Sequence, residues 1–262
     1  MKTINLINLK GGVGKTTVSV HLAVALAESW DLRVLFIDND KQANASAWFD
    51  ANEDRGSLTN ILMDGNTAEE VIQPTKYAKL DLIAADMGLI DANSQAIADK
   101  TIRQDRIFVN AIANIEDNYD VCIIDNPPDI NASVFNAVIV TDDVIIVSLP
   151  EIDSLSGIYK MVEQMEKMRP HNPQIHLRGI LFNQYLPSGV SSVLLDSLQE
   201  KGFPIFNTKI RVATKKAKAA LIEARFKKRS IFEELPSCGV ARDLMHFVEE
   251  LLESYRTEGG HD

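Results

Sequence analysis

The chain has 262 residues, 45% hydrophobic and 24% charged, an ordinary globular balance with length enough for a sizeable core. Two distant cysteines, Cys122 and Cys238, exclude a disulfide framework and a cysteine-rich zinc site, and no apolar run reaches the ~18 residues of a membrane-spanning helix. The formal net charge of −10 argues against a nucleic-acid binder, provided the charge is evenly spread.

In chain order, residues 3–9 are apolar and β-compatible and predict a strand. Residues 10–14 form a glycine-rich turn, and 15–29 repeat apolar residues at helical spacing. The short apolar run 33–37 predicts a buried strand, completing a βαβ unit and implying a parallel sheet. The apolar segment before Lys10 is too short for a signal peptide, so a cytoplasmic protein is expected. Further strands are expected at 80–84, 121–124, 144–149 and 177–182, with a weaker candidate at 203–206. Helices are expected at 101–115, 131–140, 154–168, 188–200, 214–226 and 239–255. Near-continuous apolar strands fit a sheet covered on both faces. One doubly wound, mostly parallel α/β domain is expected to span residues 1–262.

Chemistry concentrates at Lys10-Gly11-Gly12-Val13-Gly14-Lys15-Thr16-Thr17, between the first strand and first helix. Glycines there let backbone N–H groups surround phosphate oxygens, and the helix N-terminus adds its positive dipole end. Lys15 can reach the β- and γ-phosphates, and the Thr16 hydroxyl can ligate Mg²⁺. The ordinary phosphate-loop pattern would need glycine at position 9, which is Leu9, and here a second lysine, Lys10, opens the loop. Asp38 and Asp40 follow the 33–37 run, and Asp125 follows 121–124. A lone strand-end aspartate is commonly a helix cap or turn former. Beside a phosphate loop, at the carboxyl ends of parallel strands, such residues are placed to hold Mg²⁺ or orient a water.

The 10–17 segment resembles the deviant Walker A motif of the ParA/MinD family of P-loop ATPases. Asp38-Asn39-Asp40-Lys41-Gln42-Ala43-Asn44 resembles that family's D-x-D-P-Q-x-N switch, and Asp125-Asn126-Pro127-Pro128 its D-x-P-P Walker B. The resemblance implies ATP and Mg²⁺ as ligands, with Gly11 to Thr17 around the phosphates and Thr16, Asp38 and Asp125 at the metal. It implies that Asp40 positions the attacking water and that Lys10 reaches the partner's phosphates in an ATP-sandwich homodimer. Asn183 matches a position that contacts adenine; its alternative is a turn residue at a strand end. No Asn-Lys-x-Asp motif follows, which favours ATP over GTP. Two residues depart from the pattern: Lys41 stands where the family has proline, and Asp129 where serine is usual.

The charge is in fact uneven. Residues 209–229 hold nine basic residues and one acid, a local charge of +8 on an otherwise acidic chain. Ala213, Ala217, Ala220, Leu221 and Ala224 share a helical face, and Lys215, Lys216, Lys218 and Arg225 lie off it. A solvated charged face is the ordinary reading of such a run. Clustered Lys/Arg is also the footprint of phosphate-backbone binding. The resemblance adds Arg211 to the expected DNA contacts and implies non-specific DNA binding, nucleoid association and release by a ParB-like centromere-binding partner. The chain starts at the first strand, like the short partition ATPases without a helix-turn-helix extension.

Two other readings share these motifs. A MinD-like membrane-surface regulator would use a basic amphipathic C-terminal helix, but here that helix carries Glu249, Glu250 and Glu253, and 258–262 is acidic. No membrane partner is therefore expected. A metabolic or iron–sulfur P-loop enzyme would leave the basic stripe unexplained, and the latter lacks suitably placed cysteines.

Overall fold

A computed structural model describes residues 1–98 and 104–258. Its sheet has seven strands: β1 (Lys2–Ile7), β2 (Val34–Asp38), β3 (Gln73–Pro74), β4 (Leu80–Ile83), β5 (Val121–Asp125), β6 (Asp143–Ser148) and β7 (His176–Phe182). Their order is β3-β4-β2-β5-β1-β6-β7. Every neighbouring pair is parallel except β3–β4, a two-residue edge pairing. The helices before β5 are α1 (Lys15–Ser29), α2 (Asn44–Trp48), α3 (Leu58–Asp64), α4 (Ala68–Val71), α5 (Leu89–Ala98) and α6 (Ile107–Ile112). Those after it are α7 (Ala132–Ile139), α8 (Ile152–Met168), α9 (Gly189–Glu200), α10 (Lys215–Phe226), α11 (Ile231–Glu234) and α12 (Gly239–Glu258).

Strand side chains alternate between the two faces. Ile4, Leu6, Val34, Phe36, Ile123, Ile145 and Val147 pack with α1 and α12 in one core. On the other face, Leu35, Ile37 and Ile124 pack with α3, α4 and α6, while Ile7, Val144 and Ile146 pack with α8 and α9. Burial on both faces explains the unbroken apolar runs. No helix among the described residues is long and apolar enough to cross a membrane.

The expected strands are present with ends shifted by one or two residues, except 203–206. Pro204 has no N–H to donate, so that segment makes one isolated bridge, Ile205 to Ile180. Helix 101–115 is shorter than expected: α6 begins at Ile107, and residues 101–103 lie outside the described residues. Residues 259–262 of the acidic tail also lie outside them. The short helices α2 to α5 were not expected. Two carry capping boxes, Ser57 with Asn60 and Thr67 with Glu70, and the Thr-x-x-Glu spacing was a readable start signal.

His21 ties the first helix to the C-terminal region. It is fully buried on α1, against the rings of Trp48 and Phe232. Its Nδ1 lies 2.6 Å from the Thr17 carbonyl, and the Ile231 amide donates to its Nε2 at 2.8 Å. These partners require a neutral ring with the proton on Nδ1. Burial drives its pKa down to about 4 from the ordinary 6.5. The unfolded chain therefore takes up this proton first as pH falls. The resulting loss, on the order of 3 kcal/mol, is spread between about pH 6.5 and about pH 4. Unfolding free energies of wild type and His21→Gln should differ most above pH 6.5 and converge toward pH 4; a gap independent of pH would contradict this assignment.

Candidate functional site

The chain leaves β1 at Ile7, turns over the strand ends and enters α1 at Lys15. Gly12 and Gly14 hold φ of +76° and +94°, values that glycine adopts without steric cost. At Gly14 space is limiting too: a Cβ would sit 2.2 Å from Asn183 Nδ2. Asn183, just beyond β7, donates to the Val13 carbonyl at 2.8 Å and so fastens the loop to the sheet. Gly14 supplies no side-chain cap, which leaves the first N–H groups of α1 directed toward the loop's concavity. Lys15 is buried, its ammonium donating to the Asn8 carbonyl at 3.2 Å. Burial lowers its pKa, opposed by the charges of Asp125, Asp40 and Asp129. A cavity of about 470 Å³ opens here, lined by the glycines, Lys15, Thr16, Thr17, Asp40, Lys41 and Asp129 among others.

Asp38 and Asp125 stand side by side, in register at the ends of β2 and β5. Both are buried, but their surroundings differ. Asp38 Oδ2 accepts the Ser46 amide at 2.8 Å and the Ser46 hydroxyl at 2.7 Å; its Oδ1 accepts the Asp40 amide at 3.1 Å. Burial nevertheless pushes its pKa up to about 6. Neither oxygen of Asp125 has a partner at full hydrogen-bond geometry, the Thr16 and Ser19 hydroxyls being its nearby donors. Burial and then the Asp38 charge push its pKa up to about 7, against the pull of Thr16, Lys15 and Ser19. Asp38 thus braces the switch with both oxygens engaged, and Asp125 keeps the oxygens open to a cation beside Thr16. Among the described residues, no cluster of three His, Cys, Asp or Glu side chains could hold a metal alone. A cation here would need substrate or water oxygens as well, which suits Mg²⁺.

Asp40 is half-buried on the cavity wall, its Oδ1 accepting the Gln42 amide at 2.9 Å. Lys10 points away: its ammonium pairs with Glu151, just before α8. On the other side of the loop, a second cavity of about 340 Å³ is lined by Gly12, Gly14, Thr17, Asn183, Arg211 and Lys218 among others. Asn183 therefore lies between the loop and this second cavity, a place where a base could sit.

The basic segment forms the stretch leading into α10, α10 itself and the turn after it. Ala217, Ala220 and Ala224 are buried, whereas Lys215, Lys216, Lys218 and Arg225 are exposed, as the spacing predicts. The charges are not equally available. Arg211 donates to Asp243 from Nε and Nη2, both at 2.7 Å. Lys227 pairs with Glu223 and Glu234. The side chains of Lys215, Lys216 and Lys218 make no ion pair or hydrogen bond among the described residues. Ile222 and Phe226, 72% and 85% exposed, share α10 with them.

Partners that escaped the sequence reading include Ser46, Glu151, Asn44 and Trp48. Arg225 Nη2 donates to Asn44 Oδ1 at 2.6 Å, Trp48 Nε1 donates to the Arg229 carbonyl at 2.7 Å, and Lys228 donates to the Ala47 carbonyl. The short helix α2 is thus bonded to Asp38 through Ser46 and to the end of the basic helix through Asn44, Ala47 and Trp48. Ser46, Glu151 and Trp48 lie outside every motif, and only position 44 fell within one, so only folding reveals these contacts.

Residues 1–177 match the family model described as an AAA domain. A ParA family protein of Chlamydia trachomatis serovar D is 31% identical over 257 residues, covering 96% of this chain and 98% of that protein. Among solved structures, apo McdA of Cyanothece superposes with a TM-score of 0.82 at 20% identity, covering 96% of this chain and 99% of that one. Cobyrinic acid a,c-diamide synthase of Mycobacterium smegmatis, with bound ADP and magnesium, superposes with a TM-score of 0.81 at 21% identity over 98% and 96%. These two likenesses are likenesses of fold. Identity sustained along nearly the full length of a ParA family protein, with the family-model match over residues 1–177, makes this chain a member of the ParA family of P-loop ATPases.

Proposed function

We propose that the chain is a DNA-partition ATPase acting as one P-loop unit. ATP joins two copies into a sandwich homodimer, the dimer holds DNA without sequence preference, and hydrolysis stimulated by a ParB-like centromere-binding partner releases it. The observation that carries this reading is α2, bonded at once to Asp38 in the nucleotide site and to the end of the basic helix. A surface meant to follow nucleotide state needs such a physical link. The protein would then be cytoplasmic and nucleoid-associated.

The N–H groups of 11–16 and Lys15 would bind the β- and γ-phosphates. Thr16 and Asp125 would hold Mg²⁺, since Asp125 has buried, unbonded oxygens beside Thr16. Mg²⁺ held there would supply charge neutralisation to the phosphates. Asp40, oriented by the Asp38 brace, would accept a proton-side hydrogen bond from the attacking water. Lys10 would exchange Glu151 for the partner copy's phosphates, and Asn183 would lie beside the adenine. Lys215, Lys216 and Lys218 offer the most available charge for DNA, with Arg225 beside them and Arg211 held by Asp243. A membrane-surface role has less support: Leu244, Phe247, Val248 and Leu251 of α12 are buried in the core, unavailable to lipid.

DNA sedimentation with ATP, ADP or no nucleotide tests the reading; DNA is expected to retain the protein only with ATP. Equal retention in all three states would refute the coupling. Asp40→Ala should bind ATP and Mg²⁺ but hydrolyse at least about 100-fold more slowly, accumulating dimer. Wild-type turnover in that variant would remove Asp40 from its role. Lys215→Glu with Lys216→Glu should weaken ATP-dependent DNA binding at least about tenfold at low salt while ATP-driven dimerisation persists. Unchanged affinity would move the DNA surface elsewhere.

A further inference from the structure

The two residues that depart from the motif pattern, Lys41 and Asp129, meet in the fold. Lys41 Nζ lies 3.7 Å from Asp129 Oδ2, and both residues line the cavity of about 470 Å³. One follows Asp40 directly; the other follows the two prolines after Asp125. Their side chains are 42% and 46% exposed. A pair so open and so long is worth roughly 0–1 kcal/mol. It contributes little as a brace and is readily exchanged for a stronger partner.

One electrostatic influence and one hydrogen bond set the direction of exchange. Asp129 acts on Lys15, its charge opposing the fall in the lysine's pKa. An anion seated at Lys15 is therefore within the reach of Asp129's repulsion. Asp129 also keeps a second partner, since Asn131 Nδ2 donates to its Oδ1 at 3.2 Å. Lys41 has no other hydrogen bond or ion pair among the described residues. Its flexible stem and compact ammonium suit a mobile point charge.

We propose that Lys41 is a phosphate-positioning residue, held by Asp129 until a nucleoside triphosphate arrives and then transferred to the terminal phosphate. The inference rests on the ATP reading of the site. It assigns Lys41 to the terminal phosphate because its neighbour Asp40 faces the attacking water in that reading. Asp129 keeps the lysine at the cavity mouth and weakens anion binding until the exchange occurs.

Equilibrium binding of fluorescent ADP and of a non-hydrolysable ATP analogue, both with Mg²⁺, tests the exchange. Lys41→Ala should weaken the ATP analogue about five- to tenfold and ADP less than about twofold. Asp129→Asn should tighten the ATP analogue about two- to threefold, and Lys41→Arg should retain the preference over ADP. If the pair were only a brace between loops, both single variants would weaken both nucleotides alike. That result, or equal effects of Lys41→Ala on ADP and the ATP analogue, would overturn the proposal. Wild-type protein that bound neither nucleotide would instead refute the underlying site assignment.

Discussion

Two carboxylates buried side by side at the ends of adjacent strands govern this structure. An ionised carboxylate out of water is costly unless hydrogen bonds or a cation compensate it. Asp38 receives three hydrogen bonds, and from them follow the path of the switch and the position of α2. Asp125 has only the nearby Thr16 and Ser19 hydroxyls, neither at full hydrogen-bond geometry. Lys15 is buried opposite, at its own desolvation cost. The strand ends therefore hold only partly compensated charge of both signs within one small volume. A polyphosphate with a divalent cation offers the complementary charges in the matching order, anion toward Lys15 and cation toward Asp125.

Much of this was legible because the relevant physics is local. A glycine turn between a strand and a helix has few uses, and apolar runs of strand length mark a sheet covered on both sides. The alanine face of α10 could be read from spacing alone. What escaped depends on pairs distant in sequence. Glu151 takes hold of Lys10, Ser46 braces Asp38, and Asp243 occupies Arg211. No periodicity announces such pairs. The segment after residue 45 failed for another reason. Its helices are too short for helical periodicity to emerge, and their caps were the only local signal.

The link between nucleotide site and basic surface is short in space and long in sequence. From Asp38 it runs through Ser46 to α2, and from α2 to the end of α10 by side-chain and carbonyl bonds. His21 adds a parallel route, from the Thr17 carbonyl to the amide of Ile231. Both routes begin at residues next to the expected phosphates and end within the segment 225–231. Any free-energy coupling they carry must act in both directions, so a ligand that favours one position of α10 would favour one nucleotide state equally.

The alanine face of α10 has a mechanical consequence. Each buried methyl removes little apolar area from water, so Ala217, Ala220 and Ala224 anchor the helix far less than leucines would. Beside them Leu221, partly buried, is the larger side chain this face packs against the core. The position of the helix is then set chiefly at its ends, by the Thr214 cap at one and the α2 contacts at the other. A helix held in that way would act as a lever: a small displacement at its α2 end would carry the whole row of lysines with few large apolar contacts to break.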